Sequence, residues 1–206
     1  MAAEGIADAA PPENIVITAG SQSAQDVATK VFCNPGDVVL VENPPTYVGA
    51  LNTFEAYQVQ VEPIEMDDDG LVPELLEARI AALQAEGKNI KFLYTIPPNF
   101  NNPSGITLAA ERRQQIVDIC RSANIIVLED NPYGLLRFDG HPIARCEPPT
   151  RMTSSIWLVL ENLCPPACAS AGPGSHALAA SFLPRLRGSD TLPASPESNA
   201  RLGIPP

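Results

Sequence analysis

Short apolar runs alternate with amphipathic segments along the first 130 residues of the chain. The runs are rich in valine, isoleucine and leucine and end at turn residues, which is typical of strands buried on both faces. Strands are predicted at residues 14–18, 37–42, 57–66, 90–96 and 125–129, and helices at residues 23–32, 45–56, 73–86 and 108–123. Strands that alternate with helices predict an α/β fold, a mostly parallel sheet with helices on both faces.

Polar side chains follow the most apolar of these strands. Asp130 and Tyr133 come directly after the Ile-Ile-Val-Leu-Glu run at residues 125–129. In open α/β sheets, ligands bind just beyond the carboxyl ends of the strands. Asp130 and Tyr133 therefore occupy a place where a bound ligand is expected.

Three further loops carry polar or aromatic residues at the same predicted edge of the sheet. Gly20, Ser21 and Gln22 form a small-residue turn before a helix, where free backbone N–H groups attract an anion such as a phosphate. An ordinary serine N-cap is the alternative. Tyr47 is placed to stack on a flat ligand, although such a tyrosine is also common in a core. Asn102 lies in a loop dense in proline, asparagine and glycine.

The composition narrows the range of partners. The formal net charge of −11 argues against nucleic acid and anionic membranes, and no apolar run reaches the roughly 20 residues of a membrane span. The first residues lack the basic and apolar regions of a signal peptide. Five cysteines without paired spacing indicate reduced thiols, so a cytoplasmic location is expected. With only two histidines, no metal site is predicted.

Two kinds of sequence are joined near residue 150. Residues 1–150 hold 9 basic and 21 acidic residues, whereas residues 151–206 hold 4 basic and 3 acidic residues. Half of the second part is proline, serine, alanine or glycine. We therefore divide the chain into a domain at 1–150 and a tail at 151–206 that is expected to be unstructured.

The four loops, taken in this order, resemble the pyridoxal-phosphate-dependent aminotransferases of class I/II (fold type I). The likeness is greatest to the branch with 2-aminoadipate, aromatic and branched-chain transaminases, and it covers about residues 10–145. It implies an incomplete aminotransferase large domain and transfer of an amino group from an amino acid to a 2-oxo acid. Members of the family are homodimers. The resemblance leaves open which amino acid and which 2-oxo acid react.

The resemblance also assigns roles at a pyridoxal 5′-phosphate site. Gly20, Ser21 and Gln22 would hold the cofactor phosphate, and Tyr47 would stack on the pyridine ring. Asp130 would pair with the protonated ring nitrogen, which keeps the ring cationic and able to act as an electron sink.

The ring 3-oxygen of the cofactor has two implied partners. Asn102 and Tyr133 would both donate hydrogen bonds to it, and Asn102 would also help to hold the substrate carboxylate. These assignments complete the set of cofactor-binding residues that the resemblance implies.

A transaminase also needs a Schiff-base lysine downstream of this aspartate. The three lysines of the chain, Lys30, Lys88 and Lys91, all precede Asp130. No catalytic residue is therefore predicted, and the chain as written is expected to be inactive.

A shifted reading of the gene would restore such a segment. Codons for residues 157–172 can be chosen so that they read Gly-Ser-Phe-Ser-Lys-Thr-Phe-Ala-Pro-Gly-Leu-Arg-Val-Gly-Trp, one base later at first and two bases later from residue 165. This sequence resembles the lysine segment of the family. We therefore expect the tail to derive from a frameshift after about residue 152; a pseudogene product or a real divergent tail is the alternative.

Other functions are compatible with the same cofactor site. A pyridoxal-phosphate-dependent C–S lyase would use the same residues around the ring. A non-catalytic remnant that binds the cofactor, or the effector domain of a regulator that senses it, would need no lysine chemistry.

Overall fold

The computed structural model describes residues 15–19, 21–43, 46–96, 101, 104–131, 157–161 and 177–181. Within these ranges the chain forms eight strands and four helices. The strands are β1 (Ile15–Ala19), β2 (Val38–Asn43), β3 (Gln60–Asp67), β4 (Gly70–Leu71), β5 (Ile90–Thr95), β6 (Ile126–Asn131), β7 (Trp157–Glu161) and β8 (Ala177–Ser181). The helices are α1 (Ser21–Phe32), α2 (Val48–Ala56), α3 (Pro73–Ala85) and α4 (Ala110–Ser122).

Six of the strands form one sheet in the order β4-β3-β2-β5-β6-β7. The pairs β2–β3, β2–β5, β5–β6 and β6–β7 are parallel, and only the short β3–β4 pair within this sheet is antiparallel. The predicted α/β fold with a mostly parallel sheet is confirmed.

Two hydrophobic cores cover the two faces of this sheet. In β2, Val39 and Val41 pack with residues of α1 and α2, whereas Val38 and Leu40 pack with residues of α3 and α4. All four side chains are buried, and burial of each contributes about 1.5–3 kcal/mol to stability. This burial explains why the strands read as continuous apolar runs rather than as an apolar–polar alternation.

The order of the strands creates a crevice at the carboxyl edge of the sheet. After β2 the chain adds β3 on one side of it, and later adds β5 on the other side. The connections on the two sides of β2 therefore diverge, and ligands of open α/β sheets bind at such switch points. The switch point lies between the carboxyl ends of β2 and β5, and β6 is the next strand beyond β5.

Some element boundaries differ from the predicted ones. Helix α1 begins at Ser21, two residues earlier than expected, and α2 begins at Val48, three residues later. Strand β3 begins at Gln60 rather than at residue 57, because Gln58 has a φ of 57° and cannot continue an extended strand.

Two strands lie within the stretch that was expected to be an unstructured tail. Strand β7 pairs in parallel with β6, and β8 pairs antiparallel with β1 and lies beside β7. The expectation for 151–206 as a whole stays a prediction, because only these ten residues of the stretch are described. Each of the two short runs pairs with a neighbouring strand through backbone hydrogen bonds. The rest of the stretch lies outside the described residues.

Candidate cofactor site

Asp130 lies near the end of β6 and is buried, with 3% of its surface exposed. It follows Ile126 and Leu128 on the face of the sheet that packs against α1 and α2. Its Oδ2 atom accepts hydrogen bonds from Gln25 Nε2 at 2.6 Å and from the Tyr94 hydroxyl at 2.6 Å. Its Oδ1 atom has no hydrogen-bond partner among the described residues. Oδ2 thus accepts two hydrogen bonds, and Oδ1 remains available as an acceptor.

Burial raises the pKa of Asp130 to about 6, while the hydrogen bonds from Tyr94 and Gln25 lower it. The pKa of Tyr94 is raised well above its usual value, first by burial and then by the charge of Asp130. Tyr94 therefore remains a neutral donor at neutral pH. At pH 7 the carboxylate form of Asp130 therefore predominates, and it forms no ion pair with any of the described residues.

The amino end of α1 lies on the same side of the sheet as Asp130. Ser21 is the first residue of this helix, and the backbone N–H groups of a first helical turn have no partner within the helix. Gln25 lies one turn further along α1 and contacts Asp130 directly. The amino end of α1, which can bind an anion, and the Asp130 carboxylate, which Gln25 contacts, therefore lie on the same side of the sheet.

Gln22 and Tyr47 meet over Gly49. Gln22 Nε2 donates to the Gly49 carbonyl at 3.0 Å and to the Thr53 hydroxyl at 2.6 Å. A β-carbon at Gly49 would overlap the Tyr47 ring and would lie 2.5 Å from Gln22 Oε1. The start of α1 and the aromatic ring before α2 therefore both lie against Gly49. The side chain of Gln22 is used in this junction, which leaves its backbone N–H as its group for an anion.

A second buried carboxyl group holds the loop that follows β5. Glu42, which is 3% exposed, accepts hydrogen bonds from the Thr95 hydroxyl, from the Asn101 side-chain amide and from the Ile96 N–H. Burial raises the pKa of Glu42, and these three hydrogen bonds oppose the rise. The Asn101 carbonyl also accepts from the Gly105 N–H at 2.7 Å. Glu42 thus holds this loop at two points, Ile96 and Asn101.

Four of the seven predicted cofactor contacts fall within the described residues, and they share one edge of the sheet. These are Ser21, Gln22, Tyr47 and Asp130. The other three, Gly20, Asn102 and Tyr133, lie outside the described residues.

Sequence reasoning missed three residues of this site, Gln25, Tyr94 and Glu42. Gln25 gave one usable signal, since it is a polar residue on the otherwise small and buried face of α1. Tyr94 and Glu42 each lie near the end of a predicted strand, but their hydrogen bonds join elements far apart in the chain.

The three lysines lie away from this edge of the sheet. Lys91 is 3.5 Å from Asp37, next to the start of β2, and Lys88 donates to Gln60 at the start of β3. Lys30 is in the last turn of α1, at the end opposite Ser21. None of them is therefore placed to reach a ligand beside Asp130.

The described residues contain neither a candidate metal site nor a candidate membrane span. In the part of the chain that the structure describes, no group of three or more histidine, cysteine, aspartate or glutamate side chains could hold a metal ion. Among the same residues, no helix has the length and apolar character needed to cross a membrane.

Comparison with known proteins identifies the family. The model of the family "Aminotransferase class I and II" matches residues 4–160. Aromatic-amino-acid aminotransferase 1 of Thermococcus litoralis is 43% identical over 130 residues, which are 63% of this chain and 31% of that protein. The mitochondrial kynurenine/alpha-aminoadipate aminotransferase of Bos taurus is 33% identical over 132 residues, 61% of this chain and 31% of that protein.

Solved structures give the same result. The kynurenine aminotransferase of Pyrococcus horikoshii, in complex with PMP, is 39% identical with a TM-score of 0.67, over 75% of this chain and 38% of that one. An archaeal alanine:glyoxylate aminotransferase is 31% identical with a TM-score of 0.73, over 87% of this chain and 44% of that one.

The matched region is only a part of each relative. The chain spans between a quarter and a third of the length of the first curated relatives that it matches. Because the family model covers most of the 206 residues, however, the relationship itself is clear. The chain belongs to the class I and II aminotransferases, a family of enzymes that depend on pyridoxal phosphate.

Proposed function

We propose that this chain forms the cofactor-binding wall of a transaminase that moves an amino group from an amino acid to a 2-oxo acid. The observation that carries the proposal is the open Oδ1 atom of Asp130. A buried carboxylate oxygen without a donor is unfavourable unless a partner is supplied. The protonated ring nitrogen of pyridoxal phosphate is a donor and a cation, so the residues present fit this cofactor.

Asp130 would accept the ring N–H through Oδ1 and keep the ring nitrogen protonated. The bound cofactor would supply an electron sink for the substrate's α-carbon. The chain's own contribution is to place a negative charge where it stabilises the cationic ring in a site of low dielectric.

The start of α1 would hold the cofactor phosphate through the backbone N–H groups of Ser21 and Gln22, together with Gly20. This assignment is supported by the position of Ser21 as the first helical residue and by the contact between the same helix and Asp130. Tyr47 would stack on the ring, and its contact with the Gly49 region supports this role.

Asn102 and Tyr133 would donate to the ring 3-oxygen, and Asn102 would also bind the substrate carboxylate. The support for Asn102 is indirect, because Glu42 holds the neighbouring Asn101 at the carboxyl edge of the sheet. Amino acids and 2-oxo acids are the proposed substrates, and a homodimer is the proposed assembly of the complete enzyme. The unpaired cysteine pattern supports a reducing cytoplasm as the location.

The chain as written would bind the cofactor without turning over, because no lysine lies near Asp130. We place the missing lysine at position 161, where a reading shifted by one base converts Glu161 to lysine. The support is the place of Glu161 along the sheet: it ends β7 at the same carboxyl edge at which Asp130 lies, although its direct partner in β6 is Asn131. The family match also stops at residue 160. Resequencing the gene tests this origin of 151–206; codons that do not encode the lysine segment in shifted frames would exclude it.

Binding of pyridoxamine 5′-phosphate tests the proposed function, because this form of the cofactor needs no covalent link to lysine. A calorimetric titration should give one site per chain. Inorganic phosphate, and pyridoxamine without phosphate, should each bind far more weakly, because each fills only one end of the site. Equal binding of inorganic phosphate would show only an anion site, and no binding of pyridoxamine 5′-phosphate would reject the proposal.

A further inference from the structure

Gln25 is a fully buried amide on the face of α1 that packs against the sheet. Its neighbours on this face, Ala24 and Ala28, are small and apolar. Its Nε2 atom donates to Asp130 Oδ2 at 2.6 Å and lies 3.4 Å from the Tyr94 hydroxyl. Its Oε1 atom has no partner within the described ranges. The Nε2 atom of the amide thus donates to Asp130, whereas its Oε1 atom is an unsatisfied acceptor among the described residues.

Packing alone does not explain a glutamine at this position. A buried amide oxygen without a donor destabilises the folded chain. A leucine has a similar volume and would fill the same space in an apolar core without this penalty. The hydrogen bond to Asp130 is the feature of Gln25 that a leucine would lose.

The two donors act on a single oxygen of Asp130. Gln25 and Tyr94 approach Oδ2 from different elements, a helix and a neighbouring strand, so together they fix the plane of the carboxylate. With Oδ2 saturated, Oδ1 is left as the acceptor for an incoming group. We propose that Gln25 is a positioning residue that, with Tyr94, holds the Asp130 carboxylate so that Oδ1 receives the ring N–H of the cofactor; this inference rests on the proposed function.

The same hydrogen bonds control where the shared proton lies. Donors to Oδ2 stabilise the ionised carboxylate and make Asp130 a weaker base. If Asp130 is a weaker base, the proton stays on the ring nitrogen of the cofactor. The protonated ring is the form that withdraws electrons from the substrate. Removal of Gln25 would make Asp130 a stronger base and would draw the proton toward Oδ1.

Helix α1 thereby connects the two ends of the cofactor. Ser21 at its start would face the phosphate, and Gln25 is about 6 Å further along the helix axis, where it orients the partner of the ring nitrogen. One rigid element therefore sets both contacts, and any displacement of α1 would affect them together.

The Gln25→Leu variant separates positioning from packing. We expect its free energy of unfolding to change little, because the loss of the hydrogen bond to Asp130 is offset by the removal of an unpaired buried oxygen. We expect its affinity for pyridoxamine 5′-phosphate to fall about tenfold, because Asp130 loses a charge-assisted hydrogen bond. With cofactor labelled with ¹⁵N in the ring, we expect the ¹⁵N chemical shift to move toward that of the unprotonated ring.

Thr29→Val is the matched control, because it removes a buried hydroxyl from the same helix that bonds to the backbone of Gln25 and not to Asp130. It should leave the ¹⁵N shift unchanged. Tyr94→Phe, which removes the other donor, should move the ¹⁵N shift in the same direction as Gln25→Leu.

The outcomes distinguish this inference from the proposed function. If the wild-type chain binds pyridoxamine 5′-phosphate and Gln25→Leu changes neither its affinity nor the ¹⁵N shift, the inference is wrong and the proposed function stands. If the wild-type chain does not bind the compound, the proposed function fails and the inference fails with it.

Discussion

At the scale of single residues, the decisive feature is the Asp130 carboxyl group, which is buried and forms no ion pair within the described part of the chain. Asp130 was predictable from the sequence, because a carboxylate directly after a long apolar run stands at the ligand-binding edge of an α/β sheet. Gln25 and Tyr94 were not, because their roles depend on a contact between α1 and β6, which are 105 residues apart at this point. A pattern of local periodicity contains no information about such a contact.

The raised pKa of Asp130 predicts a pH dependence of the cofactor-free chain. A carboxyl group with a pKa of about 6 in the folded state and 3.8 in the unfolded state binds its proton more tightly when folded. Its contribution to stability is therefore present below pH 3.8 and is lost as the pH rises through 6, a loss of roughly 3 kcal/mol.

Chemical denaturation of the wild type and of Asp130→Asn between pH 4 and pH 7 measures this contribution. As the pH rises, the wild type should lose stability relative to Asp130→Asn, which has no carboxyl group to titrate at this position. A difference that does not vary with pH would show that the pKa of Asp130 is not raised in the folded chain.

At the scale of elements, two junctions hold the site, and each depends on a residue that looks ordinary in the sequence. Gly49 lets the Tyr47 ring and the Gln22 side chain approach the backbone of α2. Glu42 connects β2, β5 and Asn101, which lies in the loop after β5. Apolar periodicity predicted the helices and strands themselves. It did not predict these two junctions, because they depend on distances between side chains that are far apart in the sequence.

Gly49→Ala should reverse the usual effect of this substitution in a helix. Alanine normally stabilises a helical position by about 1 kcal/mol relative to glycine. At Gly49 the added carbon would overlap Tyr47 and Gln22, so we expect a loss of about 1–3 kcal/mol and weaker cofactor binding. Urea denaturation checks this result, with the exposed Asn52→Ala in the same helix as the control. A more stable Gly49→Ala protein would contradict the described junction.

Glu42→Leu should destabilise the chain more than Glu42→Gln does. Leucine leaves the buried Thr95 hydroxyl and Asn101 amide without an acceptor, at about 1–3 kcal/mol for each group. Glutamine keeps one acceptor oxygen and loses only part of the network. Urea denaturation of both variants gives the comparison, and equal losses would mean that the hydrogen bonds to Glu42 do not hold this loop.

At the scale of the whole molecule, we propose that an α/β unit carries a cofactor site without the lysine that would bind the cofactor covalently. The sheet places Asp130 and position 161 on adjacent strands, although the sequence supplies a glutamate at 161. We propose position 161 for the lysine that the sequence predicts to be missing, because it ends β7 at the same edge of the sheet as Asp130.

Glu161→Lys should therefore give the chain a covalent link to pyridoxal phosphate. We expect a new absorbance band on mixing and, after borohydride reduction, one cofactor fixed to position 161, which peptide mass spectrometry detects. Glu111→Lys, on the exposed side of α4, is the control and should give no specific modification. Identical labelling of both variants would show that position 161 has no special relation to the site.

The most direct test of the central claim is the affinity of wild-type chain and Asp130→Asn for pyridoxamine 5′-phosphate. The claim is that the open oxygen of Asp130 receives the protonated ring nitrogen. Removal of one partner from such a buried charged pair weakens binding by about a hundredfold or more. We therefore predict measurable binding to the wild type and a loss of at least this size in Asp130→Asn. Equal affinity of the two proteins would contradict the account.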